Sequence, residues 1–315
     1  MPANSMTSLF GAHSILCLPV WYRLENSLKQ YPMPDPDFQH APATPVSRLT
    51  RALRLTRMLL HVAQGLIVTG LVYPRIAPRV RARITQAWAN KLLLILNIRL
   101  SVSGHRPDDD ARQLFVVSNH VSWLDIFVIN ATQPSRFVAK SEIRDWPVAG
   151  WLCESAGTIF IRRAKRSDTT RINAQIHDVL AGGDTVAFFP EGTTTRGDQL
   201  LKFHTSLFEP AVANQAVIAP AAIFYRQANG APTEATIFSG QITFRQSIFA
   251  ILAERSIAAE ITFAPGIATA TLNRRTAAAA AEDAIALMLN VPKSRAHQRF
   301  TDGPVVLVLQ EESSG

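Results

Sequence analysis

Cysteine is nearly absent from this 315-residue chain. Cys17 and Cys153 are too few for a disulfide framework and suit a reducing compartment. The histidines are scattered without ligand spacing, so no metal is expected. Acidic residues are missing altogether from Val46 to Pro107, although Arg48, Arg51, Arg54, Arg57, Arg75, Arg79, Arg81, Arg83, Lys91, Arg99 and Arg106 fall there. Long apolar runs are also wanting. Met58 to Tyr73 falls short of the about 20 residues that a membrane crossing needs, and it contains His61, Gln64 and Gly65.

What is present is an apolar chain for its charge. The hydrophobic fraction is 47%, the net charge +8 and the mean hydropathy +0.08. Such values suit a large core without the composition of a polytopic membrane protein. A basic face can bind nucleic acid. Here the arginines border apolar helices, which fits an anionic membrane surface better. The expected partner is therefore a membrane, with no nucleic acid.

In chain order, residues 1–45 read as a poorly ordered N-terminal extension, with five prolines between Tyr31 and Pro45. Residues 46–100 read as a membrane-associated helical hairpin. Its first helix, Arg48 to Tyr73, is stopped by Pro74 and Pro78, and its second runs over about Val80 to Leu96. A buried helix pair packed on the core is the alternative. From 101 to 300 strands and helices alternate. Predicted strands are Ile98 to Val102, Leu114 to Val117, Arg136 to Lys140, Thr158 to Ile161, Thr185 to Phe189, Val217 to Tyr225, Ala235 to Phe238 and Glu260 to Ala264. Predicted helices start after Ser122, at Asp145 and at Asp168, and cover Ser206 to Ala213 and Ala277 to Leu289. The fold class is α/β, a central mixed sheet flanked by helices, followed by a C-terminal tail over 301–315.

Three polar clusters each follow a predicted strand: His120 with Asp125, Arg162-Arg163, and Pro190 to Gly197. Ligands of open α/β sheets bind beyond the strands' carboxyl ends. On one continuous helix, His120 and Asp125 would be about 140° apart. They meet only if His120 lies in a strand-to-helix turn, where Asp125 can orient it as a general base.

These residues match a family. Asn119, His120 and Asp125, then Gly157, Phe160, Ile161 and Arg163, then Phe189 to Thr193, then Pro220 within an apolar strand stand in the order of four motifs. The chain thus resembles the glycerolipid acyltransferases of the lysophosphatidic acid acyltransferase type. The resemblance covers about residues 90 to 290. It implies transfer of a fatty acyl group from acyl-CoA or acyl carrier protein to the free hydroxyl of a lysolipid, with 1-acyl-sn-glycerol-3-phosphate the first choice of acceptor. No cofactor is implied beyond that acyl donor. The expected location is the cytoplasmic face of the inner membrane. His120 and Asp125 are the candidate catalytic pair, and Arg163, Glu191, Gly192, Thr193 and Thr194 the candidate substrate-binding residues.

One departure concerns the acceptor. Lys202 to Phe208 carries Ser206 where members using phosphate acceptors often have glycine, and it looks more like the branch that acylates lyso-ornithine lipid. Oxyanion donors are expected among backbone amides near His120 or in the Glu191 to Thr194 loop. Alternatives are a covalent route through Cys153, a lipid hydrolase using Ser118 or Ser122, and a non-catalytic membrane-surface binder. No Gly-x-Ser-x-Gly elbow supports the hydrolase.

Overall fold

The computed structural model describes residues 45–294, apart from 109, 110, 112, 147, 148 and 162–165. The expected N-terminal extension, the C-terminal tail, Pro147, Arg162 and Arg163 lie outside the described residues. All described residues belong to one compact unit, His40–Gly315.

Two helices come first, α1 (Arg48–Ile67) and α2 (Pro78–Ile95). The Ser47 hydroxyl caps α1 by accepting from Thr50 N at 3.1 Å. The helical path continues through a π-helical turn, Val68–Val72, and a 3-10 turn, Tyr73–Arg75. Together these segments make a 28-residue rod, long and apolar enough to cross a membrane by length and composition. The apolar run is therefore longer as a helix than its uninterrupted residues suggest. Leu49, Leu53, Leu60, Ile67 and Leu71 are all exposed along it.

Gly65 allows α2 to approach α1, because a Cβ there would come within 2.8 Å of the Trp88 indole nitrogen. Trp88 stacks on His61 with ring centroids 4.5 Å apart. The far half of α2 is core: Ala89, Leu92, Leu93 and Ile95 are buried with the sheet. Some of the basic residues serve the fold. The Arg54 guanidinium donates to the carbonyls of Leu252, Glu254 and Arg255, and Arg51 Nε donates to Val46 O.

The sheet contains β1 (Ile98–Gly104), β2 (Leu114–Ser118), β3 (Arg136–Lys140), β4 (Ile159–Ile161), β5 (Val186–Phe188), β6 (Val217–Gln227), β7 (Ile257–Phe263) and β8 (Ile267–Ala268). Its order is β1-β7-β6-β2-β5-β3-β4, with β8 pairing β6. β2 is parallel to both β5 and β6, and β3 is parallel to β4 and β5. β7 is antiparallel to β6 and parallel to β1, which makes the sheet mixed. The carboxyl ends of β2, β5 and β6 thus share one edge.

Further helices are α3 (Asp125–Thr132), α4 (Ala149–Ser155), α5 (Arg166–Ala181), α6 (Glu209–Ala213), α7 (Phe244–Ala253) and α8 (Arg274–Leu289). Side chains alternate across a strand, so β2 feeds two cores. Leu114 and Val116 pack with α2, α3 and α7. Phe115 and Val117 pack with α5, α6 and α8. Both faces are covered, which is why β2 is an uninterrupted apolar run.

Several local expectations are corrected. Ala235 to Phe238 is not a strand; Ala235 and Thr236 lie in a turn. Asp145 closes a 3-10 turn, Ser141–Asp145, instead of starting a helix. Asp168 sits inside α5, which begins at Arg166. α7 went unread in the sequence, although Thr243 and Gln246 form a reciprocal capping box at its start.

Candidate active site

The His120 turn is built from backbone hydrogen bonds that the sequence does not display. Asn119 leaves the end of β2 and behaves like a strand residue toward β6. Its Oδ1 accepts from Ile223 N at 2.8 Å, and its Nδ2 donates to Ile223 O at 3.0 Å. One amide side chain thereby satisfies both main-chain groups of a buried residue. His120 follows immediately, so its position is tied to β6.

α3 begins at Asp125, with no capping bond from Ser122; Ser122 Oγ instead accepts from Leu124 N within the turn, at 3.3 Å. Asp125 organises the turn. Its Oδ2 accepts from Val121 N at 2.8 Å and Ser122 N at 2.9 Å, and it lies 2.8 Å from His120 Nδ1. The carboxylate is completely buried and His120 is 4% exposed. A buried carboxylate is stable only when its oxygens are well supplied with donors. Here the other oxygen, Oδ1, accepts from Tyr225 Oη at 2.6 Å.

This arrangement assigns the imidazole tautomer. Nδ1 carries the proton that it donates to Asp125, which leaves Nε2 with its lone pair and, among the described residues, no protein partner. The ring lies flat on Phe189, centroids 3.9 Å apart with 6° between the planes, and Phe189 in turn stacks on Phe137 at 5.9 Å. Ring position and tilt are thus set from two sides.

Glu191 and Thr194 were expected to contact the acceptor, and the structure gives them different partners. Glu191 Oε1 accepts from His120 N at 2.8 Å, and Oε2 accepts from Leu201 N at 3.0 Å. The residue is 2% exposed. Burial pushes its carboxyl up to about 8, offset in part by the two amide donors. The Thr194 hydroxyl donates to Phe238 O. Both residues brace the site from inside through these main-chain bonds. Gly192 supplies the turn between them at φ 71°, where other side chains are strained. Thr193 is half-buried in the same loop. Arg163 falls outside the described residues.

Backbone amides close to His120 are also spent. Those of His120, Val121 and Ser122 are bonded to carboxylates, Gly192 N donates to Phe189 O, and Thr195 N donates to His120 O. Burial raises the Cys153 thiol above its usual range, which weakens it as a nucleophile.

Asn119, Tyr225 and Phe189 are the members that reasoning from chemical motifs did not supply with a role. An Asn directly before the His was a signal for the first. Tyr225 lies 100 positions from its partner and sent none.

Comparison with known proteins identifies the family. A family model described as Acyltransferase matches residues 99–224. The lyso-ornithine lipid O-acyltransferase of Pseudomonas aeruginosa is 35% identical over 251 residues, covering 78% of this chain and 95% of that protein. The 1-acyl-sn-glycerol-3-phosphate acyltransferase of Neisseria gonorrhoeae is 38% identical over 189 residues, covering 59% and 71%. The crystal structure of the 1-acyl-sn-glycerophosphate acyltransferase of Thermotoga maritima superposes with a TM-score of 0.55 at 18% identity, covering 75% of this chain and 96% of that one. This likeness establishes the same fold. The protein is an acyltransferase, and it belongs to the family of the lysolipid acyltransferases.

Proposed function

We propose that the chain transfers a fatty acyl group from a thioester, acyl-CoA or acyl carrier protein, directly to the free hydroxyl of a lysolipid. The observation that carries the mechanism is the 2.8 Å bond from His120 Nδ1 to a fully buried, four-donor Asp125, which leaves Nε2 free for substrate. Nε2 takes the hydroxyl proton as the oxygen attacks the thioester carbonyl. Asp125 holds the tautomer and stabilises the imidazolium. The tetrahedral intermediate then collapses, the carbon–sulfur bond breaks, and the thiolate recovers the proton from Nε2. General-base help of this kind contributes about 10²–10⁴-fold. The amides of Thr193 and Thr194 are the oxyanion donors in this scheme, since their neighbours are engaged elsewhere. Arg163 grips the acidic headgroup through its planar fork.

Two acceptors have specific support. The four motifs and the Neisseria relative support 1-acyl-sn-glycerol-3-phosphate. The longer alignment with the Pseudomonas relative, together with Ser206, favours lyso-ornithine lipid, and that acceptor is the one to test first. α1, with its exposed leucines, attaches the enzyme to the cytoplasmic face of the inner membrane, where both amphiphiles reach it laterally.

The test is acyl transfer from labelled palmitoyl thioester to each lysolipid separately, with purified enzyme in mixed micelles and His120→Ala beside it. Product from one acceptor, lost by at least 100-fold in H120A, supports this reading. Activity surviving in H120A refutes it.

A further inference from the structure

We infer that Tyr225 is a positioning residue for acyl transfer: its hydroxyl, delivered by β6 to the carboxyl edge of the sheet, completes the donor shell of Asp125 and thereby holds His120 in its reactive geometry. The inference rests on the reading of His120 as the general base.

The buried Asp125 carboxylate requires donors on both oxygens. Three donors, His120 Nδ1 and the amides of Val121 and Ser122, all converge on Oδ2. Nothing from the turn itself reaches Oδ1. In a site with no accessible surface at Asp125, that oxygen either finds a donor or makes the charged form costly. Tyr225 supplies it at 2.6 Å, the short distance typical of a hydrogen bond to an ionised acceptor. Burial and the adjacent carboxylate both push the phenol well above its usual range, so it remains a donor throughout the working pH. The strand fixes the phenol: Tyr225 stands opposite Ala259 in the antiparallel β6–β7 ladder, and its carbonyl accepts from Thr233 N. Two residues earlier on β6, Ile223 receives both ends of Asn119. One strand therefore grips the His120 turn on either side, through Asn119 before the histidine and through Asp125 after it.

The consequence is electronic as well as geometric. Removing a donor from the carboxylate raises the pair's affinity for a proton, whether that proton resides on oxygen or on the imidazole. The active form, with Nε2 unprotonated, is then reached at higher pH. The other titratable group bonded to the turn is Glu191, through His120 N, with Glu282 behind it through Phe203 N. The ring face of His120 is covered by Phe189, which carries no charge.

The experiment compares wild type, Tyr225→Phe and His120→Ala, each in micelles with both substrates varied and with folding followed by circular dichroism. Y225F is expected to lower kcat tenfold or more, leave both KM values within about twofold, and move the acid limb of kcat/KM upward by on the order of one pH unit. Wild type carrying 3,5-difluorotyrosine at position 225 keeps the shape and donates more strongly, so its limb moves to lower pH; this arm decides the matter should Y225F fold poorly. An unmoved limb in the fluorinated enzyme, or Y225F within twofold of wild type while H120A is inactive, overturns the role of Tyr225 alone. An active H120A overturns the general-base reading instead.

Discussion

The bond pair between Asn119 and Ile223 makes a prediction that can be sized. Asn119→Ala leaves the N–H and the C=O of Ile223 buried without partners, at about 1–3 kcal/mol each, or about 2–6 kcal/mol together. For a domain of this size that corresponds to a fall in melting temperature of roughly 5–20 °C. Asn119→Asp is the sharper perturbation because it conserves shape. One oxygen of the introduced carboxyl still accepts from Ile223 N, while the other faces Ile223 O, which can only accept. Protonation of that second oxygen restores the donor. The fold thus raises the introduced group's proton affinity, and its contribution to stability is present at low pH and lost as pH rises. A buried carboxyl shifted by about 2–3 units loses about 3–4 kcal/mol once ionised. Thermal melts of wild type and N119D at pH 5, 7 and 9 read this directly. The gap to wild type is expected to be smaller at pH 5 than at pH 7, and to reach its full size by pH 9. A gap independent of pH, or an N119A variant within about 0.5 kcal/mol of wild type, refutes the reasoning.

The remaining predictions concern the loop and the membrane. The fold raises the Glu191 carboxyl from 4.5 to about 8, so its stabilising contribution is complete below about 4.5 and is lost as pH climbs through about 8. Glu191→Gln removes that titration, and urea melts should show the variant gaining on wild type by a few kcal/mol between pH 5 and pH 9; a constant difference contradicts it. On α1, Leu60→Asp with Ile67→Asp changes two side chains that are 66% and 60% exposed, so circular dichroism should be unchanged. Flotation with anionic vesicles should nevertheless fall by tenfold or more, and undiminished flotation would remove α1 from the membrane attachment.

Particular residues show how far a sequence carries this site. The His120–Asp125 spacing is a weak signal alone, since it arises by chance in many chains; it became legible through the polar clusters and motifs elsewhere in the chain, and the strand before it announced itself by being apolar from Leu114 to Val117. Glu191 was legible as important, whereas its main-chain partners were not. Its neighbours suggested a hydroxyl-rich substrate loop, whereas its oxygens serve the amides of His120 and Leu201, a matter of three-dimensional approach. Tyr225 read as one more apolar position of β6, since alternation along a strand cannot say whether an aromatic tip meets a carboxylate. α7 went unread although its start stands in the sequence, where Thr243 and Gln246 carry the spacing of a capping box.

The grip of β6 and the β5 loop on the His120 turn has a consequence for biosynthesis. The partners that fix the turn stand far downstream: Glu191 lies 71 residues after His120, and Ile223 lies 104 residues after Asn119. Contacts of such sequence separation form late, because the intervening chain must be ordered before they can close. A nascent polypeptide still short of β6 carries His120 and Asp125 but lacks the strand that aligns them. The aligned pair therefore cannot form until β6 has been synthesised and has docked beside β2.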